Sequence, residues 1–150
     1  QRRRSMVLGN FSINRFTFLF AILGVASCAQ ADVSVSMVND DLCMVNSTGE
    51  SLALQLTPPC ELVKIDYKEH DYYQYDKSKV YIVAGQAAPV SQLTKWSVTA
   101  EDKCSLQSQA IIVIDGKIQL SAVKEGALTC PAIGLDEKVY RGFLESVKAK

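Results

Sequence analysis

The sequence is poor in the residues that histidine-dependent or thiol-dependent catalysis needs. It has one histidine, His70, and no serine lies in a G-x-S-x-G motif, so the local pattern of an α/β-hydrolase nucleophile is absent. No two cysteines lie within four residues of each other, which excludes a C-x-x-C redox motif and disfavours a zinc site built from close ligand pairs. Glycines 116, 126 and 134 are isolated, so there is no glycine-rich phosphate loop. We therefore expect no enzyme activity, no cofactor and no metal.

The chain also lacks an apolar run long enough to cross a bilayer, which takes about 20 residues. The apolar stretch 16–26, FTFLFAILGVA, has only 11 residues. Four arginines precede it, and no acidic residue occurs before Asp32. A basic start, a short apolar core and small residues after it are typical of a secretory signal peptide. We interpret residues 1–31 as this signal; Met6 is a candidate start, in which case residues 1–5 precede the natural protein.

Two processing motifs compete at the end of this leader. The sequence AQA at 29–31 is the small-x-small site of ordinary signal peptidase, with the cut before Asp32. The sequence VASC at 25–28 resembles a bacterial lipobox, whose cysteine, here Cys28, becomes lipid-modified, although valine replaces the usual leucine. Strand-like alternation begins four residues later and leaves little room for a tether. We favour a periplasmic or secreted protein; the alternative is an outer-membrane lipoprotein that contacts the membrane only through lipid on Cys28.

Without the leader the balance of charge is acidic. The whole chain has 16 basic and 16 acidic residues, and the leader holds four of the basic residues and no acid, so 32–150 carry a net charge of −4. Nucleic-acid binding needs clustered lysine and arginine. We therefore expect no nucleic-acid partner, whereas a basic protein partner is compatible with this charge.

Four cysteines remain once Cys28 is assigned to the leader. An even number in an exported domain predicts two disulfides. Of the three possible pairings we favour Cys43–Cys60 and Cys104–Cys130, because each pair brackets a predicted hairpin. The chain-entropy estimate is about 3 kcal/mol of stabilisation for each bridge.

Alternation of apolar and polar residues predicts a β-rich domain over 32–150. Seven segments are interpreted as strands: 32–38, 51–57, 61–67, 79–85, 95–101, 108–114 and 117–123. The last two flank Asp115-Gly116, the strongest short-range hairpin signal, because a type I′ turn needs positive φ at both positions. The cluster NSTGE at 46–50 predicts another turn.

The C-terminal segment 136–150 changes to the period of a helix. Val139, Phe143 and Val147 lie four residues apart with Leu144 beside them, which makes one face of an amphipathic helix. The predicted fold class is therefore α+β, mainly β. It consists of one antiparallel sheet of six to seven strands, a C-terminal amphipathic helix packed on one face and two disulfides.

The segment 69–77, EHDYYQYDK, packs three tyrosines, four charged residues and the single histidine into nine positions. A core strand would not carry so many charges, whereas tyrosine offers broad contact area and is enriched in binding hot spots. The alternative is a long twisted hairpin whose tyrosines cover its own surface. The candidate binding residues are His70, Asp71, Tyr72, Tyr73 and Tyr75.

Two other tyrosines, Tyr67 and Tyr81, fall in predicted strands, so we expect them in the core or in cross-strand pairs. A metal site at Glu69, His70, Asp71 and Asp76 is disfavoured, because the adjacent residues 69–71 of an extended chain point to opposite sides.

Small size, export, two disulfides, acidic charge and a tyrosine-rich segment favour one function over the others. We expect an exported, non-catalytic binding protein of the bacterial cell envelope, of the inhibitor or immunity type, with a protein partner. Two alternatives stay open: a carbohydrate-binding or envelope-binding accessory domain, which would use the same tyrosines on glycans, and a lipid-anchored structural subunit.

Overall fold

The computed structural model describes residues 33–150, and its described part is mainly β with one C-terminal helix. The strands are β1 (Ser34–Val38), β2 (Leu42–Ser47), β3 (Glu50–Ala53), β4 (Glu61–Leu62), β5 (Tyr73–Tyr75), β6 (Ser78–Ala84), β7 (Ser105–Ile114), β8 (Lys117–Leu120) and β9 (Lys124–Thr129). The helix α1 covers Glu137–Lys148, and two 3₁₀ helices cover Val90–Gln92 and Ala100–Asp102. The predicted fold class is confirmed, with nine described strands in place of six to seven.

The strands form two antiparallel sheets instead of the single predicted sheet. Strands β1, β2 and β3 make a three-stranded sheet in sequence order. In the six-stranded sheet, β6 and β7 pair centrally along seven residues. Both β4 and β5 pair with the outer edge of β6, and both β8 and β9 pair with the outer edge of β7. The two long strands are thus the centre of the molecule.

The two sheets and the helix stack as three layers, with β6 and β7 in the middle. Alternate side chains of β6 and β7 point to opposite faces of the sheet. One set, which includes Ile82 and Ile112, forms a core with α1, here called the helix-side core. The other set, which includes Tyr81 and Ile111, packs against β2 and the segment after β3. Both faces of β6 and β7 are therefore buried.

Two hairpin turns occur where the turn residues predict them. Asp115 and Gly116 adopt positive φ of 49° and 78° and connect β7 to β8, with Ile114 paired to Lys117. Thr48 and Gly49 also have positive φ and connect β2 to β3. Both predicted turns are confirmed.

The helix begins one residue inside its predicted range and ends two residues earlier. The Asp136 carboxylate accepts a hydrogen bond from the Lys138 backbone N–H at 2.8 Å, which caps the first turn. The predicted apolar face packs on the six-stranded sheet and also includes Tyr140, which the sequence interpretation did not place there.

Both predicted disulfides are present. Cys43–Cys60 connects β2 to the segment before β4, and Cys104–Cys130 connects the residue before β7 to the residue after β9. The buried Gln109 adds polar links, because its side chain accepts from the Gln55 N–H at 2.8 Å and donates to the Ser121 carbonyl at 2.8 Å. The Cys43–Cys60 bridge thus joins the two sheets covalently, and Gln109 connects the segments that follow β3 and β8.

Three of the predicted strands need correction. The segment 95–101 is a loop that ends in a 3₁₀ helix, and Trp96 and Val98 pack on a small cluster around Leu93 and the Cys104–Cys130 bridge. Only Glu61–Leu62 of the predicted strand 61–67 is a strand. The predicted strand 51–57 is reduced to Glu50–Ala53, although its leucines do share one core.

The leader, its two processing motifs and Cys28 lie outside the described residues. The two disulfides indicate an oxidising, non-cytoplasmic environment for the domain. Within residues 33–150, the helices are too short or too polar to cross a bilayer.

Candidate functional site

The segment 69–77 runs along the outer edge of β6 and is fixed there by its own contacts. The Asp71 carboxylate accepts hydrogen bonds from the Lys64 ammonium at 2.9 Å and from the Ile65 backbone N–H at 3.3 Å. The hydrogen bond and the negative charge of Asp71 raise the pKa of Lys64. Asp71 therefore holds the chain that leads into β5.

Two of the candidate tyrosines face the helix. Tyr73 is only 7% exposed and packs on the Tyr140 ring, with 4.7 Å between ring centroids. Tyr75 is half-buried, and its hydroxyl donates to the Glu137 carbonyl at 3.3 Å. Burial raises the pKa of the Tyr75 hydroxyl, and the nearby Glu137 carboxylate adds to the shift. The structure places Tyr73 in the core and Tyr75 at the β5–α1 junction, so neither is a free recognition residue.

The other candidates, His70 and Tyr72, lie on the opposite side of this sheet edge. Their rings stack with centroids 3.8 Å apart and an interplanar angle of 14°. Tyr72 also contacts the Tyr81 ring at 5.1 Å, and the Lys79 ammonium lies 4.8 Å from the Tyr72 ring centroid. The five candidates are therefore split between two faces and do not form one surface.

A more compact exposed site lies next to this segment. Tyr67 is 75% exposed, which corrects its expected place in the core, and Ile133 is 58% exposed. Both line one shallow cavity of about 350 Å³, here called the Tyr67–Ile133 surface. Its lining residues are Lys64, Ile65, Asp66, Tyr67, Ile133, Gly134, Leu135 and Asp136.

Backbone contacts hold the two halves of the Tyr67–Ile133 surface together. The Lys64 N–H donates to the Pro131 carbonyl at 2.8 Å, and the N–H groups of Ile133 and Gly134 both donate to the Cys130 carbonyl at 3.2 Å. Gly134 has φ of +83°, and a Cβ there would lie 2.9 Å from the Lys64 carbonyl oxygen. Only glycine therefore allows this approach, and the adjacent Cys104–Cys130 bridge anchors the loop.

Charged groups of both signs lie near the apolar residues of this surface. Asp66 and Asp136 line it, whereas its lining lysine, Lys64, is paired with Asp71. The Lys68 ammonium lies 6.0 Å from the ring centroid of the exposed tyrosine. Asp66 is exposed and makes no ion pair with another residue of 33–150. A contacting molecule thus meets two large exposed side chains and an unpaired carboxylate.

Sequence reasoning missed Ile133 and assigned Tyr67 to the core or to a cross-strand pair. Ile133 lies in the segment Pro131–Gly134, outside any strand or helix period, and an apolar residue in such a turn has no core face to join. Tyr67 shares an apparent alternation with Val63 and Ile65, which are buried as expected. The alternation holds through Ile65 and ends at the turn that follows, in which the Lys68 N–H donates to the Ile65 carbonyl at 2.9 Å.

The site offers apolar contact area and charge. Among the described residues, no group of three or more His, Cys, Asp or Glu side chains is arranged to hold a metal ion. His70 stacks on the Tyr72 ring. No protein-family model, curated protein or solved structure matches the chain.

Proposed function

We propose that the protein is an exported, non-catalytic binding protein of the bacterial cell envelope, of the inhibitor or immunity type. It docks a protein partner on the Tyr67–Ile133 surface. The partner has a basic contact region, because the unpaired Asp66 carboxylate lines this surface and residues 32–150 carry a net charge of −4.

One observation carries this proposal: two large apolar side chains are exposed together on a braced loop pair. Protein interfaces depend on a few residues, often tyrosine, that fill pockets on the partner and are surrounded by a polar rim. A rigid surface loses little conformational entropy on binding. Tyr67 and Ile133 are large exposed side chains. Hydrogen bonds and the Cys104–Cys130 bridge fix the segments that present them, so the surface is rigid.

The test is capture of a partner from envelope extract by the immobilised domain, followed by affinity measurement with the purified partner. We compare the native domain with a Tyr67→Ser/Ile133→Ser variant. The matched control is Met37→Ser/Val90→Ser, which also removes two exposed apolar side chains but on other faces. We expect one protein to be retained by the native and control domains and lost with the test variant.

Loss of two central contact residues should weaken the purified complex by more than about 2 kcal/mol, or roughly 30-fold in Kd. Equal retention by native and test variant would move the interface elsewhere. If the native domain retains nothing, the proposed binding function fails. Circular dichroism of each variant checks that the fold is intact.

A further inference from the structure

A groove of about 520 Å³ lies between α1 and the segment that joins β8 to β9, and it shares no lining residue with the Tyr67–Ile133 surface. Its volume is within the range of small-molecule sites, about 300–1,000 Å³. The lining is apolar along its length, with lysines as its charged groups. It comprises Ala122, Val123, Lys124, Lys138, Val139, Gly142, Phe143 and Ser146.

Gly142 keeps this groove open. It lies in the middle of α1, where glycine weakens a helix relative to alanine. Its φ is not positive, and a Cβ built on it meets no atom within 4 Å, so neither backbone conformation nor close packing requires glycine there. Because Gly142 lines the groove, a larger side chain at this position would occupy groove volume. Gly142 is therefore unfavourable for helix stability, and its structural effect is that the groove beside it stays open.

The charged groups of the groove are both cations. Lys124 and Lys138 line it, no carboxylate does, and neither lysine makes an ion pair with another residue of 33–150. The Lys124 ammonium lies 5.8 Å from the centroid of the Phe143 ring, beside the apolar wall. A cationic groove on an acidic domain selects a ligand that is anionic at one end and apolar along the rest.

We propose that this groove binds an anionic amphiphile, a carboxylate with a medium-length alkyl chain. The alkyl chain lies against Val123, Val139 and Phe143 over the surface that Gly142 leaves open. The carboxylate pairs with Lys124 and Lys138. This site is separate from the Tyr67–Ile133 surface and does not depend on the function proposed for it.

The experiment is isothermal titration calorimetry of residues 32–150 with decanoate and with decyltrimethylammonium, which carries the same chain and the opposite charge. Both are used below their micelle concentrations. We expect one decanoate per chain, bound about tenfold or more tightly than the cation, since two lysines contribute. Equal affinity for the two amphiphiles, or no decanoate binding, would overturn the proposal.

Variants separate the two parts of the site. Lys124→Gln/Lys138→Gln should weaken decanoate binding about tenfold, whereas Lys77→Gln/Lys117→Gln, which removes two lysines elsewhere, should not change it. Gly142→Leu should abolish binding by filling the groove. Gly142→Ala, which favours the helix, should remain folded and weaken binding to a smaller extent. Decanoate affinity that is unchanged in both Gly142 variants would show that the ligand is not in this groove.

A Tyr67→Ser/Ile133→Ser variant should bind decanoate as the native domain does. Failure of the groove and failure of the protein-binding surface are therefore distinguishable, because each has its own variants and its own ligand.

Discussion

Tyr140 is fully buried in the helix-side core, and its hydroxyl has no hydrogen-bond partner among residues 33–150. Burial, and then the negative charge of Asp71, raise its pKa above the ordinary value of a tyrosine. An unsatisfied buried hydroxyl destabilises the folded state because its hydration is lost and not replaced. The aromatic ring, which packs on Tyr73, is the part of the side chain that stabilises the core.

Replacing Tyr140 by phenylalanine should stabilise the protein. The ring packing remains and the unsatisfied hydroxyl is removed, so we expect the free energy of unfolding to rise by about 1 kcal/mol. Urea denaturation at pH 7 measures this. The control is Tyr75→Phe, which removes a hydroxyl that does donate a hydrogen bond, to the Glu137 carbonyl, and should lower stability slightly. A destabilised Tyr140→Phe variant would mean that the hydroxyl has a partner.

The same substitution should change how stability depends on alkaline pH. The unfolded-state pKa of tyrosine is about 10, and the pKa of Tyr140 in the folded protein is higher. Below pH 10 both states hold the proton, so ionisation of this group does not lower stability. Above about pH 10 the unfolded chain releases the proton while the folded protein retains it, so stability falls as the pH rises. We expect a smaller fall in stability above pH 10 for Tyr140→Phe than for the native protein, measured by urea denaturation across this range.

Among the elements, β1 stands out as an edge strand without the usual protection. Its sequence SVSMV has no charge and no proline, and Met37 at its end is 47% exposed. Within residues 33–150 it pairs only with β2, so its other edge is open. Such edges pair with other chains unless lysine or proline blocks them.

We expect Met37→Lys to reduce self-association of the concentrated protein. The lysine places a charge on the open edge and disfavours pairing between copies. Sedimentation velocity over a range of concentrations measures the change. Val90→Lys, which adds the same charge at an exposed site in a 3₁₀ helix, is the control and should have no comparable effect. If the two variants self-associate to the same extent, β1 is not the edge through which copies of the protein pair.

At this scale the sequence predicts elements well where local chemistry and packing agree. The β7–β8 hairpin follows from Asp115-Gly116, and the helix follows from its apolar face and acidic start. Strands β2, β5 and β9 were not predicted. Strand β5 is only three residues long, β9 begins with Lys124 and Glu125, and β2 ends with Asn46 and Ser47, so none has a long alternation of apolar and polar residues. Of the three, only β9 pairs with a strand that is not its neighbour in the chain. The segment 95–101 is the opposite case, a predicted strand that is a loop. Its alternating residues pack on a disulfide cluster instead of a neighbouring strand.

The sequence located the candidate site only approximately, because it singled out the neighbouring segment 69–77 and not Tyr67 or Ile133. The tyrosine-rich segment lies beside the proposed surface, but Tyr67 is the exposed tyrosine and Tyr73 is the buried one. Which tyrosine faces solvent depends on tertiary structure. It depends on where the extended segment that begins with β4 ends, and on how residues 131–136 pack against residues 61–67. Local alternation contains no information about either.

For the whole molecule, the two disulfides contribute a large share of the stability. They close segments of 17 and 26 residues, each worth about 3 kcal/mol in the chain-entropy model. A domain of this size has a total stability of about 5–15 kcal/mol. Loss of both bridges therefore removes about 6 kcal/mol, which is a large part or all of that stability.

We expect reduction of both bridges to lower the free energy of unfolding by about 6 kcal/mol. Urea denaturation with and without a reducing agent should show the transition shift to much lower urea. Removing one bridge should have about half of this effect. We therefore expect the free energy of unfolding to fall by about 3 kcal/mol in each of two variants, Cys43→Ala/Cys60→Ala and Cys104→Ala/Cys130→Ala. A reduced protein as stable as the oxidised one would contradict the assigned contribution of the bridges.

The central position of β6 and β7 also bears on how the sequence can diverge over time. Because both faces of these strands are buried, few of their side chains can change without affecting one of the two cores. Substitutions that preserve the fold must accumulate instead in the outer layers and connecting loops. Tyr67 and Ile133 are exposed positions of such loops. Substitutions at these two positions therefore change the surface of the molecule without disturbing either core.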